Sequence, residues 1–135
     1  MKIKVIKTIN HNDFKALYKD AGWWKNEYDE DSAFIDQVLK GSFLFVAAFK
    51  DNGELAGIAR ALSDGCSDAY IQDVAVLKKY RKQGIGSSMI SFLINKLKEN
   101  GIDWIALIGE PGTDSFYENL GFQTMKNHTP MKLKS

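Results

Sequence analysis

With 135 residues, 44% of them hydrophobic, and a net charge of +1, the chain can build one core but not two comfortable ones. The near-neutral balance excludes a strongly basic nucleic-acid binder. No apolar run approaches the roughly 20 residues that would span a bilayer. Cys66 is the sole cysteine and lies in a polar, turn-like stretch, Ser63 to Asp68. One domain over residues 1–135, in a reducing, cytoplasmic setting, is therefore expected.

In chain order, residues 2–9 alternate charged and apolar side chains and predict a half-buried strand. A short helix follows over 12–20, capped by Asn10 or Asn12, with Phe14, Leu17 and Tyr18 on one face. A second helix is expected over 31–40. Asp31 or Ser32 would cap it, and Gly41 would stop it. Phe43 to Phe49, the Asp51-Asn52-Gly53 turn and Glu54 to Leu62 predict a hairpin, with a third strand from Ala69 to Leu77. The most regular helical pattern runs from about Ile85 to Asn100, with Ile85, Met89, Phe92, Leu93 and Leu97 on one stripe and Gly101 at its end. A strand over 103–108, a short helix over 113–120, a strand over 121–126 and an edge strand over 129–134 complete the pattern. Such an order predicts an α/β fold, a mixed sheet with helices on its faces.

Charge is concentrated at one junction. Lys78, Lys79, Arg81, Lys82, Lys96 and Lys98 are basic, and no acid lies between Lys78 and Lys98. Within this stretch, Arg81-Lys82-Gln83-Gly84-Ile85-Gly86 connects a strand to the long helix. Two glycines leave the main chain open to close approach, and the helix start offers unpaired N–H groups in positive potential. A diphosphate suits that arrangement. It is not a P-loop, because Gly86 is followed by Ser87 rather than Lys. Nor is it a dinucleotide fingerprint: Met89 stands where a third small residue is needed, and Asp103 begins the next strand rather than ending it.

Taken together, Asp73-Val74-Ala75-Val76, Tyr80 to Gly86 and Phe116-Tyr117-Glu118-Asn119-Leu120-Gly121-Phe122 resemble the core motifs of the GNAT superfamily of N-acetyltransferases. The resemblance is strong over about fifty residues and rests on element order in the N-terminal half. It implies a mostly antiparallel sheet with one splayed parallel strand pair and acetyl-coenzyme A in the gap. It also implies an acyltransferase acting on an amine in a direct ternary complex. Val74, Ala75 and Val76 would meet the acetyl and pantetheine groups through backbone. The segment Gln83, Gly84, Ile85, Gly86 and Ser87 would hold the pyrophosphate, with Arg81 and Lys82 beside it. Phe116 and Tyr117 would flank the thiol. Glu110-Pro111-Gly112-Thr113 departs from the family, where an Asn commonly touches the cofactor arm.

By its family position Tyr117 would be the acid that protonates the leaving thiolate. Asp73, the only acid between Ala69 and Lys98, would be the base; a cross-strand ion pair is its alternative role. The resemblance implies that the segment between the first two helices, Ala21 to Tyr28, roofs the acceptor; its adjacent tryptophans, Trp23 and Trp24, and the acids after them could hold a cationic or aromatic amine, with Tyr18, Trp24 and Glu27 as the candidate contacts. The expected acceptor is a small-molecule amine; a protein N-terminus or lysine, or a non-catalytic acetyl-CoA sensor, is the alternative. No metal, nucleic acid or membrane partner is expected, and the chain would be a monomer or homodimer.

Overall fold

In the computed structural model, which describes residues 1–135, five strands form one sheet in the order β1-β2-β3-β4-β5. These are β1 (Lys2–Val5), β2 (Leu44–Phe49), β3 (Leu55–Ser63), β4 (Asp68–Val76) and β5 (Trp104–Leu107). The pairs β1–β2, β2–β3 and β3–β4 are antiparallel, and β4–β5 is parallel. The longest helix, α3 (Ile85–Glu99), covers one face. On the other lie α1 (His11–Asp20) and α2 (Phe34–Gly41), while α4 (Asp114–Glu118) follows β5.

Alternation along the strands divides the core in two. Val46, Ala48, Ala59, Ala61, Ala69 and Ile71 pack on one side with Met89, Ile90, Leu93 and Leu97 of α3. The alanines under this helix let it sit close to the sheet. At Gly57 the approach is closest, since an added Cβ would lie 2.8 Å from Met89 Cε and 2.9 Å from the Ala75 carbonyl oxygen. Phe14, Leu17, Tyr18, Ile35, Leu39, Phe45, Ala47 and Ile58 fill the opposite side.

Local chemistry sets the element ends. Asn10 caps α1, its side chain accepting the Asp13 N–H at 3.0 Å. At the end of α1, Gly22 takes φ +80°; its N–H bonds the Lys19 carbonyl and the Trp23 N–H bonds the Tyr18 carbonyl. This is a Schellman ending, which turns the residue after the glycine back onto the helix. The same bond pattern at Gly101 seats the fully buried Ile102, and at Gly121 it returns Phe122 to Tyr117.

Three expectations are corrected. A 3-10 turn, Asn26–Glu30, precedes α2, which begins at Phe34 with no side-chain cap; Asp31 bonds the Ala33 N–H instead. β1 ends at Val5 rather than residue 9. Neither 121–126 nor 129–134 forms a strand: Phe122 is drawn into the α4 ending, and the outer edge of β5 is not paired. No helix is long and apolar enough to cross a membrane.

Candidate active site

Strands β4 and β5 are paired only from Asp68–Trp104 to Ile71–Leu107. Beyond Ile71, β4 runs on to Val76 while β5 has ended, and a gap opens between them. One irregularity shapes this part of β4. Ile58 pairs with Ala75 and Arg60 with Gln72, so Ala59 stands opposite both Asp73 and Val74. The extra residue is a β-bulge, and Asp73 adopts φ +53° there. It reverses the alternation: Ile71 packs on the α3 side, yet so do Val74 and Val76, while Ala75 joins the α1 side. Beyond the bulge, Leu77 donates its N–H to Ala56 of β3 at 2.9 Å. Strand alternation therefore directs the amides of Val76, and of Val74 before it, away from β3 and toward the gap.

Asp73 is tightly held. Its Oδ2 accepts hydrogen bonds from Tyr18 Oη at 2.7 Å and from Arg60 Nε at 2.6 Å, and the latter is also an ion pair. Arg60 extends further to Ser42 Oγ at 3.4 Å. Burial first, and then the Asp73 charge, push the Tyr18 phenol far above its ordinary value. The carboxylate thus holds a cross-strand arginine, as its alternative role anticipated, and its Oδ2 is not a vacant proton acceptor.

At the gap's far end, the chain passes through a single 3-10 turn, Lys78–Tyr80, and then Arg81 to Gly84 before entering α3. Lys82 and Gly84 both have positive φ, +65° and +81°. A Cβ on Gly84 would meet nothing within 4 Å, whereas one on Gly86 would lie 3.2 Å from Phe116 Cζ. Gly84 thus leaves open space, and Gly86 makes room for an aromatic ring rather than for a ligand. Ser88 N–H makes the first helical bond, to Gly84 O at 3.0 Å, and the N–H groups of Ile85, Gly86 and Ser87 have no protein acceptor. The loop is braced from outside: Glu54 pairs with Lys79 at 2.6 Å and accepts the Tyr80 hydroxyl, and Lys50 donates to Gln83 Oε1 at 3.2 Å. Arg81 Nε reaches back to Val76 O at 3.4 Å, and the Lys82 side chain makes no ion pair.

Where β4 parts from the end of β5 lies a cavity of about 250 Å³ lined by Trp23, Gln72, Asp73, Val74, Glu110 and Tyr117, among others. Tyr117 is half-buried. Its ring stands edge-on to Phe116 at 4.9 Å and to Phe122 at 5.8 Å, and its hydroxyl has no hydrogen-bond partner in the protein. Desolvation, and then the nearby Glu110 charge, raise its pKa above the ordinary phenol value. The phenol therefore keeps its proton throughout the neutral range.

Tyr117, Asp73 and Val74 thus meet at one cavity, while Ala75 is buried in the α1-side core and does not line it. Tyr18 does not line the cavity but backs two residues that do, Asp73 by a hydrogen bond and Trp23 by an edge-on ring contact. Trp24 is elsewhere, edge-on to Tyr28 at 5.2 Å and to Phe34 at 6.2 Å, and it does not line the cavity; nor does Glu27, which lies in the 3-10 turn. Its neighbour Trp23 does line the cavity, turned there by the α1 ending and set edge-on to Tyr18 at 5.5 Å. Of the two adjacent tryptophans it is Trp23, not the expected Trp24, that stands on the wall, and Gln72 and Glu110 were not expected there. The Gly22 that follows a helix and precedes Trp23 was the readable signal for the first.

The residues present fit a coenzyme A diphosphate and pantetheine arm, with three free amides at a helix start, an open Gly84, a nearby lysine and an unpaired strand edge. Comparison with known proteins agrees. The acetyltransferase (GNAT) family model matches residues 6–122. An uncharacterized N-acetyltransferase, ycf52, of Pyropia yezoensis is 34% identical over 119 residues, covering 86% of this chain and 66% of its own. Histone acetyltransferase TAP1 of Glycine max is 33% identical over 121 residues, covering 82% of this chain and 51% of its own. A GNAT family acetyltransferase structure from Streptococcus pneumoniae superposes with a TM-score of 0.83 at 28% identity, covering 99% of this chain and 97% of the other. The chain spans about two thirds of the length of the ycf52 relatives it matches. With its splayed β4 and β5, its loop before α3 and these matches, the chain belongs to the GNAT family of acetyltransferases.

Proposed function

We propose that the chain transfers an acetyl group from acetyl-coenzyme A to an amine. The observation that carries this reading is that two features flank Phe116: the unpaired amides of Ile85, Gly86 and Ser87 on one side, where Gly86 meets its ring, and the partnerless Tyr117 hydroxyl on the other, its ring edge-on to Phe116. Acetyl-CoA, when bound, supplies an activated acyl thioester. Gln83 to Ser87 hold its diphosphate through main-chain amides, assisted by the positive end of α3 and by Lys82 and Arg81. Val74 and Val76 present backbone to the arm, while Ala75 faces β3 as the partner of Ile58, and the Val74 N–H stands as the oxyanion donor. Phe116 fixes the position of Tyr117, whose proton is available to the departing sulfur. Asp73 supports the bulge, its Oδ2 being engaged by Arg60 and Tyr18.

A small-molecule amine is the favoured acceptor, because the cavity where Tyr117, Asp73 and Glu110 meet is only about 250 Å³. A protein amine is the second reading, supported by the histone acetyltransferase name of the Glycine max relative. Calorimetry with coenzyme A tests the first half of the proposal, and thiol release across small amines and lysine peptides tests the second. Well-folded protein without affinity for coenzyme A would refute the whole reading. Turnover of peptides alone would refute the small-acceptor preference.

A further inference from the structure

Resting on the acetyl-transfer reading, we propose that Glu110 selects acceptors that arrive as ammonium ions without a neighbouring anionic group, and that its carboxylate takes the ammonium proton. The cavity wall carries two carboxylates, Asp73 and Glu110, and no Lys, Arg or His. These two acids are not equivalent. Asp73 is neutralised by Arg60, and its Oδ2 accepts two hydrogen bonds. Glu110 makes no ion pair, and its side chain has no hydrogen-bond partner. It is therefore the one uncompensated charge on the wall.

Its placement is fixed by the turn that follows β5. The Glu110 carbonyl accepts both the Thr113 hydroxyl at 2.6 Å and the Thr113 N–H at 3.2 Å. Gly109 allows the turn to close, since an added Cβ would lie 2.8 Å from Thr113 Oγ1 and 3.6 Å from the Tyr117 ring. The same turn therefore sets Glu110 and Tyr117 on one wall, close enough for the carboxylate charge to act on the phenol. The rings of Trp23 and Tyr117 complete the surroundings that an alkylammonium favours. An acceptor carrying a carboxylate or phosphate beside its amine would find no cation to balance it, and would meet a like charge at Glu110.

The proton count closes within the cavity. One N–H bond of the ammonium breaks, an O–H bond forms on the Glu110 carboxylate, and a neutral amine with a free lone pair is left. Tyr117 retains its own proton through this step, so the wall offers a vacant acceptor and a loaded donor at once.

The test uses three acceptors with one carbon chain: 1,5-diaminopentane, 1-aminopentane and 5-aminopentanoic acid. Thiol release with acetyl-CoA gives kcat/KM for each, and calorimetry gives the coenzyme A affinity. The diamine should exceed the amino acid by roughly tenfold or more. Glu110→Gln should bring that ratio to within about twofold and lower kcat for every amine, with coenzyme A affinity unchanged. Glu110→Lys, at an exposed position, should favour the amino acid. Equal use of diamine and amino acid by the unaltered protein, or a ratio unchanged in Glu110→Gln, overturns the assignment while acetyl transfer stands. Absence of coenzyme A binding, or of thiol release with any amine, overturns both.

Discussion

Tyr117 combines a partnerless hydroxyl, two edge-on aromatic neighbours and a carboxylate close by. Replacing it with Phe should lower kcat by about 10²-fold or more, with coenzyme A affinity measured by calorimetry unchanged. Its raised pKa gives the sign of the pH effect. The acid form persists above the ordinary tyrosine value near 10, so the alkaline limb of the kcat profile should lie higher than that. Because Glu110 contributes to the shift, Glu110→Gln should move the limb downward. Tyr18 titrates in the same sense but affects stability. Its folded pKa is raised by burial and by Asp73, so the stabilisation is complete below pH ~10 and is lost as pH rises further. Urea titrations from pH 8 to 11 should show this fall, and Tyr18→Phe should flatten it. At this scale the sequence was readable where chemistry and local pattern coincide, as at Tyr117 and the Arg81 to Gly86 loop. It was not readable for Trp23 against Trp24. These adjacent rings go to different places because the Gly22 ending turns only the first toward Tyr18 and the cavity. Glu110 stayed hidden because the stretch Glu110-Pro111-Gly112-Thr113 departs from the family pattern and so carried no assigned contact.

Among the elements, β4 depends most on distant partners. An Asp in the left-handed region at a bulge is held by Arg60 of β3 and Tyr18 of α1, residues 13 and 55 positions away. Arg60→Met should leave a partly buried carboxylate with one donor and cost about 1–3 kcal/mol. Hydrogen exchange should speed up at residues 73–76 in particular, because the bulge loses its clamp. Gly57 marks the tightest contact between β3 and α3. Gly57→Ala should cost roughly 1–3 kcal/mol in urea unfolding, since one of the crowded atoms is the Ala75 carbonyl, which cannot rotate aside. Helix α3 and the strands of the first hairpin were legible because period and turn residues agree. The bulge was not, because the pairing of Ile58 with Ala75 and Arg60 with Gln72 is a property of two strands together. The last strand was misread for a related reason. Phe122 has strand-like neighbours, but Gly121 diverts it onto the Tyr117 ring.

Across the whole molecule, one sheet separates two apolar layers and its strands contribute to both. Disrupting either layer should therefore unfold both. Leu93→Ala on the α3 side and Phe14→Ala on the α1 side should each cost about 2–5 kcal/mol. In each case a single transition should be seen by far-ultraviolet circular dichroism and by tryptophan fluorescence. Net charge is only +1, yet basic residues gather before and within α3, so electrostatics should be felt locally. The apparent affinity for coenzyme A should fall as salt rises from 0.05 to 0.5 M, while acceptor KM for a neutral-tailed amine changes less. Composition and element order made the mixed sheet legible at this scale. The asymmetry between its layers was less so, because it depends on which alanines lie under α3.

Phe116 occupies the space that a side chain at position 86 would need. One ring therefore acts as a spacer between the first turn of α3 and the short helix bearing Tyr117. On the proposed reading, the distance from the amides that hold the diphosphate to the Tyr117 proton is set by the thickness of that spacer, so the two ends of a bound thioester would be measured against the same part. Trimming the ring would let the donor drift relative to the anchor even with every polar group intact.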